Sequence, residues 1–158
     1  LVIELFYILL RVQKWQFSRG AVSAVFHDVL IVLGIFSLTY KIMPFNMEIN
    51  QAFIAALLTV IGYSLNDTVV VFDRIREFFK IHSSWDSETT VNTALNSTLS
   101  RTLNTSLTTL IVLIAIFIFG GESIRGFMFA LIIGVMVGTY SSVFIATPIM
   151  FDSYKNKD

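Results

Sequence analysis

The sequence predicts an all-α fold, a polytopic bundle of membrane-spanning helices, and three observations carry that reading. Of the 158 residues, 55% are hydrophobic and only 14% charged, with a mean hydropathy of +0.76, far above an ordinary soluble domain. The apolar residues come in long blocks separated by short polar ones, the distribution of membrane spans rather than of a water-soluble core. The lysines and arginines gather on alternate loops, as in chains threaded through a bilayer. A soluble helical bundle is the bland alternative, and release by carbonate washing without detergent would identify it. Eleven basic and eleven acidic residues cancel, so no global field attracts nucleic acid or an acidic substrate. The absence of cysteine excludes disulfides, thiol chemistry and Cys-ligated metals.

Five spans are expected. Residues 1–10 are an apolar run about half the roughly 20 residues a crossing needs, so they read as a truncated span in a chain that begins mid-helix. Residues 11–19 (RVQKWQFSR) read as a short basic loop with Trp15 and Phe17 as interfacial aromatics. The second span, 20–40, is closed by Lys41 and by Pro44, which cannot donate to a helix ladder. The third is 51–72. Residues 73–100 are the longest polar stretch, expected as an amphipathic loop: a helical extension, a turn around Ser83-Ser84-Trp85-Asp86, and a second amphipathic helix. The spans 101–119 and 127–151 follow, joined by a tight Gly120-Gly121-Glu122 turn, and 152–158 is a polar tail.

Alternation sorts the cations into Arg11, Lys14, Arg19, Arg74, Arg76, Lys80, Arg101, Lys155 and Lys157 on one side, against Lys41 and Arg125 on the other. By the positive-inside rule the nine-cation side is cytoplasmic, which puts the 73–100 loop and the C-terminus there.

Charges inside spans mark candidate functional residues, because an ionisable side chain near mid-bilayer costs roughly 2.5–3.5 kcal/mol on insertion scales. Asp67 sits five residues before the end of its span, roughly 8 Å inside at 1.5 Å per residue. Asp28, beside His27, lies about eight residues inside the preceding span by the same rise. Glu4 is a third candidate whose depth the missing helix start leaves open. The clean apolar run 110–119 is too short to cross alone, so the polar run 98–109 must enter the bilayer and face protein or water. Within it Ser97, Arg101, Asn104 or Thr105, and Thr108 form one stripe at helical spacing. The long side chain of Arg101 could reach the level of Asp67, which makes an Asp67–Arg101 pair the natural neutral arrangement. Such a pair either locks two helices together or forms a carboxylate tuned to bind and release a proton. Asn66, Thr68, Ser106 and Thr109 could hold water along a proton path. His27 could relay protons or simply bond a neighbouring carbonyl; Asp28 has no cheap lipid-facing option.

A second pattern is steric. Gly126, Ala130, Gly134, Gly138, Ser142 and Ala146 recur every fourth residue along the last span, a small-residue ridge that admits another helix closely and serves static packing or sliding. Phosphate-binding glycine loops, paired His-Glu metal spacing and nucleophile elbows are absent from the sequence, so neither enzymatic chemistry nor a cofactor or metal is expected.

The stretch Ile61-Gly62-Tyr63-Ser64-Leu65-Asn66-Asp67-Thr68-Val69-Val70-Val71-Phe72-Asp73-Arg74-Ile75-Arg76-Glu77 resembles the signature of the SecF side of the SecD/SecF protein-export membrane family. So do His27-Asp28-Val29, Thr98-Leu99-Ser100-Arg101-Thr102, Gly120-Gly121-Glu122 with Ile124-Arg125-Gly126, and Gly138-Thr139-Tyr140-Ser141-Ser142. Leu65 stands where the family often carries Ile. The resemblance runs over about residues 1–150 and implies a first span and an extracytoplasmic domain ahead of residue 1, in a separate SecF or the rear of a fused SecDF. It implies one half of a resistance-nodulation-division type bundle in the bacterial cytoplasmic membrane. That half would use a proton or sodium gradient to help draw preproteins through the SecYEG channel after SecA has pushed them, beside a SecD half. The ion-coupling carboxylate and the essential arginine of the family match Asp67 and Arg101. Two rival readings are a gradient-driven exporter of a small molecule or lipid, and a noncatalytic scaffold that stabilises the translocon.

Overall fold

The structure, a computed structural model, describes residues 15–45 and 47–155. The truncated span at 1–10, with Glu4, and the cations Arg11, Lys14 and Lys157 lie outside these residues.

Local chemistry sets where the helices begin. The first, α1 (Trp15–Thr39), starts inside the stretch expected as a loop. Its first turn is held by the Arg19 guanidinium, 4.8 Å over the Trp15 ring four residues back, and by Phe17, packed edge-on against Phe72 at 5.2 Å. Helix α2 (Gln51–Ile81) follows Asn50, whose side chain accepts from the Phe53 N–H at 3.1 Å. Helix α3 (Ser87–Phe119) starts at Asp86, whose Oδ2 accepts from the Thr89 N–H at 3.0 Å. Helix α4 (Glu122–Ser141) runs into a π-helical turn, Ser142–Ala146, and then into α5 (Thr147–Lys155).

Four helical stretches among the described residues, Trp15–Thr39, Gln51–Ile81, Ser87–Phe119 and Glu122–Lys155, are long and apolar enough to cross a membrane. The boundaries drawn at residues 73 and 101 have no counterpart, since α2 and α3 run through them unbroken. At 31 and 33 residues these helices are about 46 and 50 Å long, well beyond the roughly 30 Å hydrocarbon core, so they project together as a hairpin. The hairpin tip is an aromatic stack: Phe78 to His82 at 5.3 Å, His82 to Trp85 at 3.8 Å, with the Arg74 guanidinium 4.7 Å over Phe78.

Hydrogen bonds from Thr89, side chain first and backbone second, hold the Asp86 carboxyl below its usual range. A folded-state pKa below the unfolded one means this cap is at full strength above about pH 3.9 and weakens as pH falls through the folded value. Amides of the first turn of α3 are therefore expected to lose exchange protection on acidification beyond the intrinsic rate change. Asp86→Ala should lack that dependence.

Helices α2 and α4 form the central pair, and α1 and α3 pack against it while hardly touching one another. Gly134 makes the central contact possible: a Cβ there would lie 1.9 Å from Val60 Cγ2, so only glycine allows this approach. Gly138 faces Ser64 one turn on, and Ala130 and Ser142 are buried along the same ridge. Two apolar cores result. One, around Phe17, Phe72, Ile75 and Met150, lies toward the hairpin; the other, around Phe36, Met47, Phe53 and Leu131, lies toward the Pro44 loop.

Candidate functional site

Between the two cores lies a buried polar layer. On α1, Asp28 is wholly inaccessible. Its Oδ2 accepts from the hydroxyls of Ser64 on α2 and Ser141 on α4, the latter at 2.7 Å. Its Oδ1 lies 3.2 Å from Nδ1 of the partly exposed His27. On α2, Asp67 is 9% exposed, and its Oδ2 accepts from Ser142 at 2.8 Å. The geometry follows from helix periodicity. Ser64 and Asp67 are three apart, so they share one face of α2. Ser141 and Ser142 are consecutive, so they diverge by roughly 100°, one reaching α1 and the other α2.

A second set of hydroxyls joins α2, α3 and α4. Tyr63 donates to Ser106 at 3.1 Å, Ser106 bonds Thr139, and Thr139 donates to the Val135 carbonyl at 2.8 Å. Each hydroxyl carries one proton, so the chain has one direction, from Tyr63 through Ser106 and Thr139 to the backbone. The hydroxyl of Thr68 is buried without a hydrogen-bond partner, and the buried hydroxyl of Thr102 stands beside the Asp67 carboxylate and acts on it.

Arg101 is placed differently from the expectation. It makes no ion pair with Asp67 and is exposed, acting on that carboxylate through its charge. It borders a cleft of about 500 Å³ lined also by Val70, Asp73, Arg74, Glu77, Ser97 and Thr98. Asn104 and Thr105 are exposed on the same outer side of α3, and Asn66 is exposed on α2. What α3 turns inward is the neighbouring row Thr90, Ala94, Thr98, Thr102 and Ser106. The physical reason is that residues 98–109 are polar around most of the helix, so spacing alone does not choose between adjacent stripes. Thr105, Thr108 and Thr109 bond carbonyls of their own helix at 2.9–3.0 Å, which lets them sit on either face.

The sequence reading missed Ser64 and Ser141, and saw Ser142 only as a packing residue. A search for partners able to satisfy Asp28 and Asp67 points to the small hydroxyls inside the apolar spans, among them Ser64 and the Ser141-Ser142 pair. Among the described residues no group of three His, Cys, Asp or Glu side chains could hold a metal ion.

Residues 1–156 match the family of protein export membrane protein SecD/SecF, C-terminal. The chain is 57% identical over 152 residues to a protein translocase subunit SecF from Rhodothermus marinus, covering 96% of this chain and 49% of the relative. It is 51% identical to the SecF subunit of Thermodesulfovibrio yellowstonii, again over 96% of this chain and 49% of the relative. The chain thus spans about half the length of these relatives. A crystal structure of SecDF in its super-membrane-facing form superposes with a TM-score of 0.86 at 42% identity, covering 97% of this chain and 20% of that one. With its apolar helices and its match along nearly the whole length, this is a multi-pass membrane chain that belongs to the SecD/SecF protein-export family, corresponding to the C-terminal part of SecF or of the SecF half of SecDF.

Proposed function

We propose that this chain is the ion-coupling membrane part of a Sec protein-export component, which uses a proton or sodium gradient across the bacterial cytoplasmic membrane to promote preprotein movement through the SecYEG channel. The observation that carries the reading is Asp67: a nearly inaccessible carboxylate inside a span, bonded by the Ser142 hydroxyl with the buried hydroxyl of Thr102 beside it. A carboxylate in that position is costly and has no packing role that an apolar residue would not fill better. The charge asymmetry supports a cytoplasmic C-terminus and hairpin. The exposed polar side chains Arg101, Asn104 and Thr105 on α3 cannot face lipid, which supports a SecD half as the covering partner. SecA and the preprotein complete the assembly.

The test is translocation in vesicles holding the full-length protein with its SecD half, SecYEG and SecA. An imposed ion gradient is expected to raise preprotein translocation, and an ionophore to remove the gain; a rate indifferent to the gradient refutes the reading. Arg101→Gln removes the charge that acts on Asp67, and the stimulated rate is expected to fall about tenfold, equivalent to about 1.4 kcal/mol, whereas Arg101→Lys, which keeps the charge and loses only the planar fork, should lose less. An undiminished rate in Arg101→Gln would remove Arg101 from the coupling step.

A further inference from the structure

We propose that Asp28 is a second protonation site and that Ser141 and Ser142 are positioning residues that transmit the state of one carboxylate to the other. The mechanical consequence for export rests on the ion-coupling reading of Asp67; the coupling itself is a property of this junction.

Ser141 Oγ lies 2.7 Å from Asp28 Oδ2 and 3.2 Å from the Gly138 carbonyl. Ser142 Oγ lies 2.8 Å from Asp67 Oδ2 and 3.0 Å from the Thr139 carbonyl. Each hydroxyl has one proton and two acceptors within reach. While a carboxylate is ionised, its serine donates to it. When the carboxylate is protonated, its own O–H needs an acceptor; the serine oxygen becomes that acceptor and the serine proton turns to the carbonyl three residues back. No proton is created or lost in the exchange.

The two carbonyls belong to consecutive residues, 138 and 139, and the two serines are consecutive as well. The turn that holds them leads directly into the π-helical turn Ser142–Ala146, where the Ser142 carbonyl accepts from Thr147 at 3.1 Å. Side-chain bonds to backbone carbonyls bend helices, and single π turns inside α-helices frequently mark functional sites. A change at one carboxylate therefore strengthens or releases a side-chain bond on the carbonyl of residue 138 or 139, in the same turn that carries the other's hydroxyl donor. Asp28 is fully buried, so its charge is held by the hydroxyls of Ser64 and Ser141 and by His27 beside it, and turning one of these donors away bears directly on it. Among the described residues, His27 on α1 lies against Asp28 and Arg101 on α3 acts on Asp67. Helix α4 and the π turn supply hydroxyls only, their charged residues Glu122 and Arg125 lying at the far end of α4.

The experiment is pH-difference infrared spectroscopy of the full-length protein with its SecD half in lipid, with carboxyl bands assigned by Asp28→Asn and Asp67→Asn. Both carboxyls are expected to give a protonated band on acidification. Ser142→Ala should shift the Asp28 band, which it does not touch, and Ser141→Ala should shift the Asp67 band. Bands that respond only to the loss of their own serine, or an Asp28 that gives no protonated band, overturn the proposal. Should an alanine variant fail to assemble, Asp67→Asn replaces it: the Asp28 band should then move, and an unmoved band is equally fatal. These spectra are read without a gradient, so failure of the coupling and failure of the export reading are seen separately.

Discussion

Replacing Asp67 by asparagine is expected to abolish gradient-stimulated preprotein translocation while leaving membrane insertion and folding intact. The substitution keeps the planar shape and an oxygen able to accept from Ser142, which donates to Oδ2 at 2.8 Å, so the packing of α4 on α2 has no reason to change. What disappears is the ability to exchange a proton or neutralise a cation at a site that is 9% exposed. Removal of a buried charge in a span relieves a cost of a few kcal/mol, so the variant should be at least as stable as the parent. The measurement is the ratio of translocation rates with and without an imposed gradient, in vesicles containing the complete complex. A ratio of one is expected, and a parental ratio would remove Asp67 from the coupling step.

The second large effect is structural. Gly134→Ala is expected to destabilise the bundle by about 3 kcal/mol, at the upper end of overpacking costs, because its Cβ would stand 1.9, 2.7 and 2.9 Å from three carbons of Val60. A valine on a helix is stiff at χ1 and cannot swing clear, so α2 and α4 must separate. That separation also pulls Ser142 from Asp67, and gradient stimulation should fall with stability. Val60→Ala in the same chain removes the 1.9 and 2.7 Å contacts and leaves only the Cβ at 2.9 Å, so it should restore part of both. Unfolding of the purified protein in detergent checks the first expectation, and the double variant checks its cause. A Gly134→Ala protein as stable as the parent would mean that the two helices do not approach as closely as described.

How much of this was legible in advance can be judged from single residues. Asp28 and Asp67 stood out because the cost of a carboxylate in hydrocarbon depends on the residue and its depth, and both can be read along one strand of sequence. The Ser87–Phe119 helix was legible only in part. Its length argument required the polar run to enter the bilayer, but the inward row turned out to be Thr98, Thr102 and Ser106, one step from the stripe containing Arg101. The early start of α1 at Trp15 was hidden because Trp and Arg are equally at home at an interface loop and in a helix turn, and only the contact of Phe17 with Phe72 decides between them.

By itself the sequence determined the class of solvent, the number and order of apolar helices in residues 15–155, the two acids that cannot face lipid, and the family, since each depends on local composition or on contiguous motifs. Tertiary structure alone decided which hydroxyl serves which acid, that Arg101 stands at a cleft instead of against Asp67, and that a π turn follows the serine pair. The reason is rotational. A helix can turn about its axis at little cost when serines and threonines can satisfy themselves on their own backbone, and its final angle is fixed by close contacts such as Gly134 on Val60, made between residues 74 positions apart in the chain.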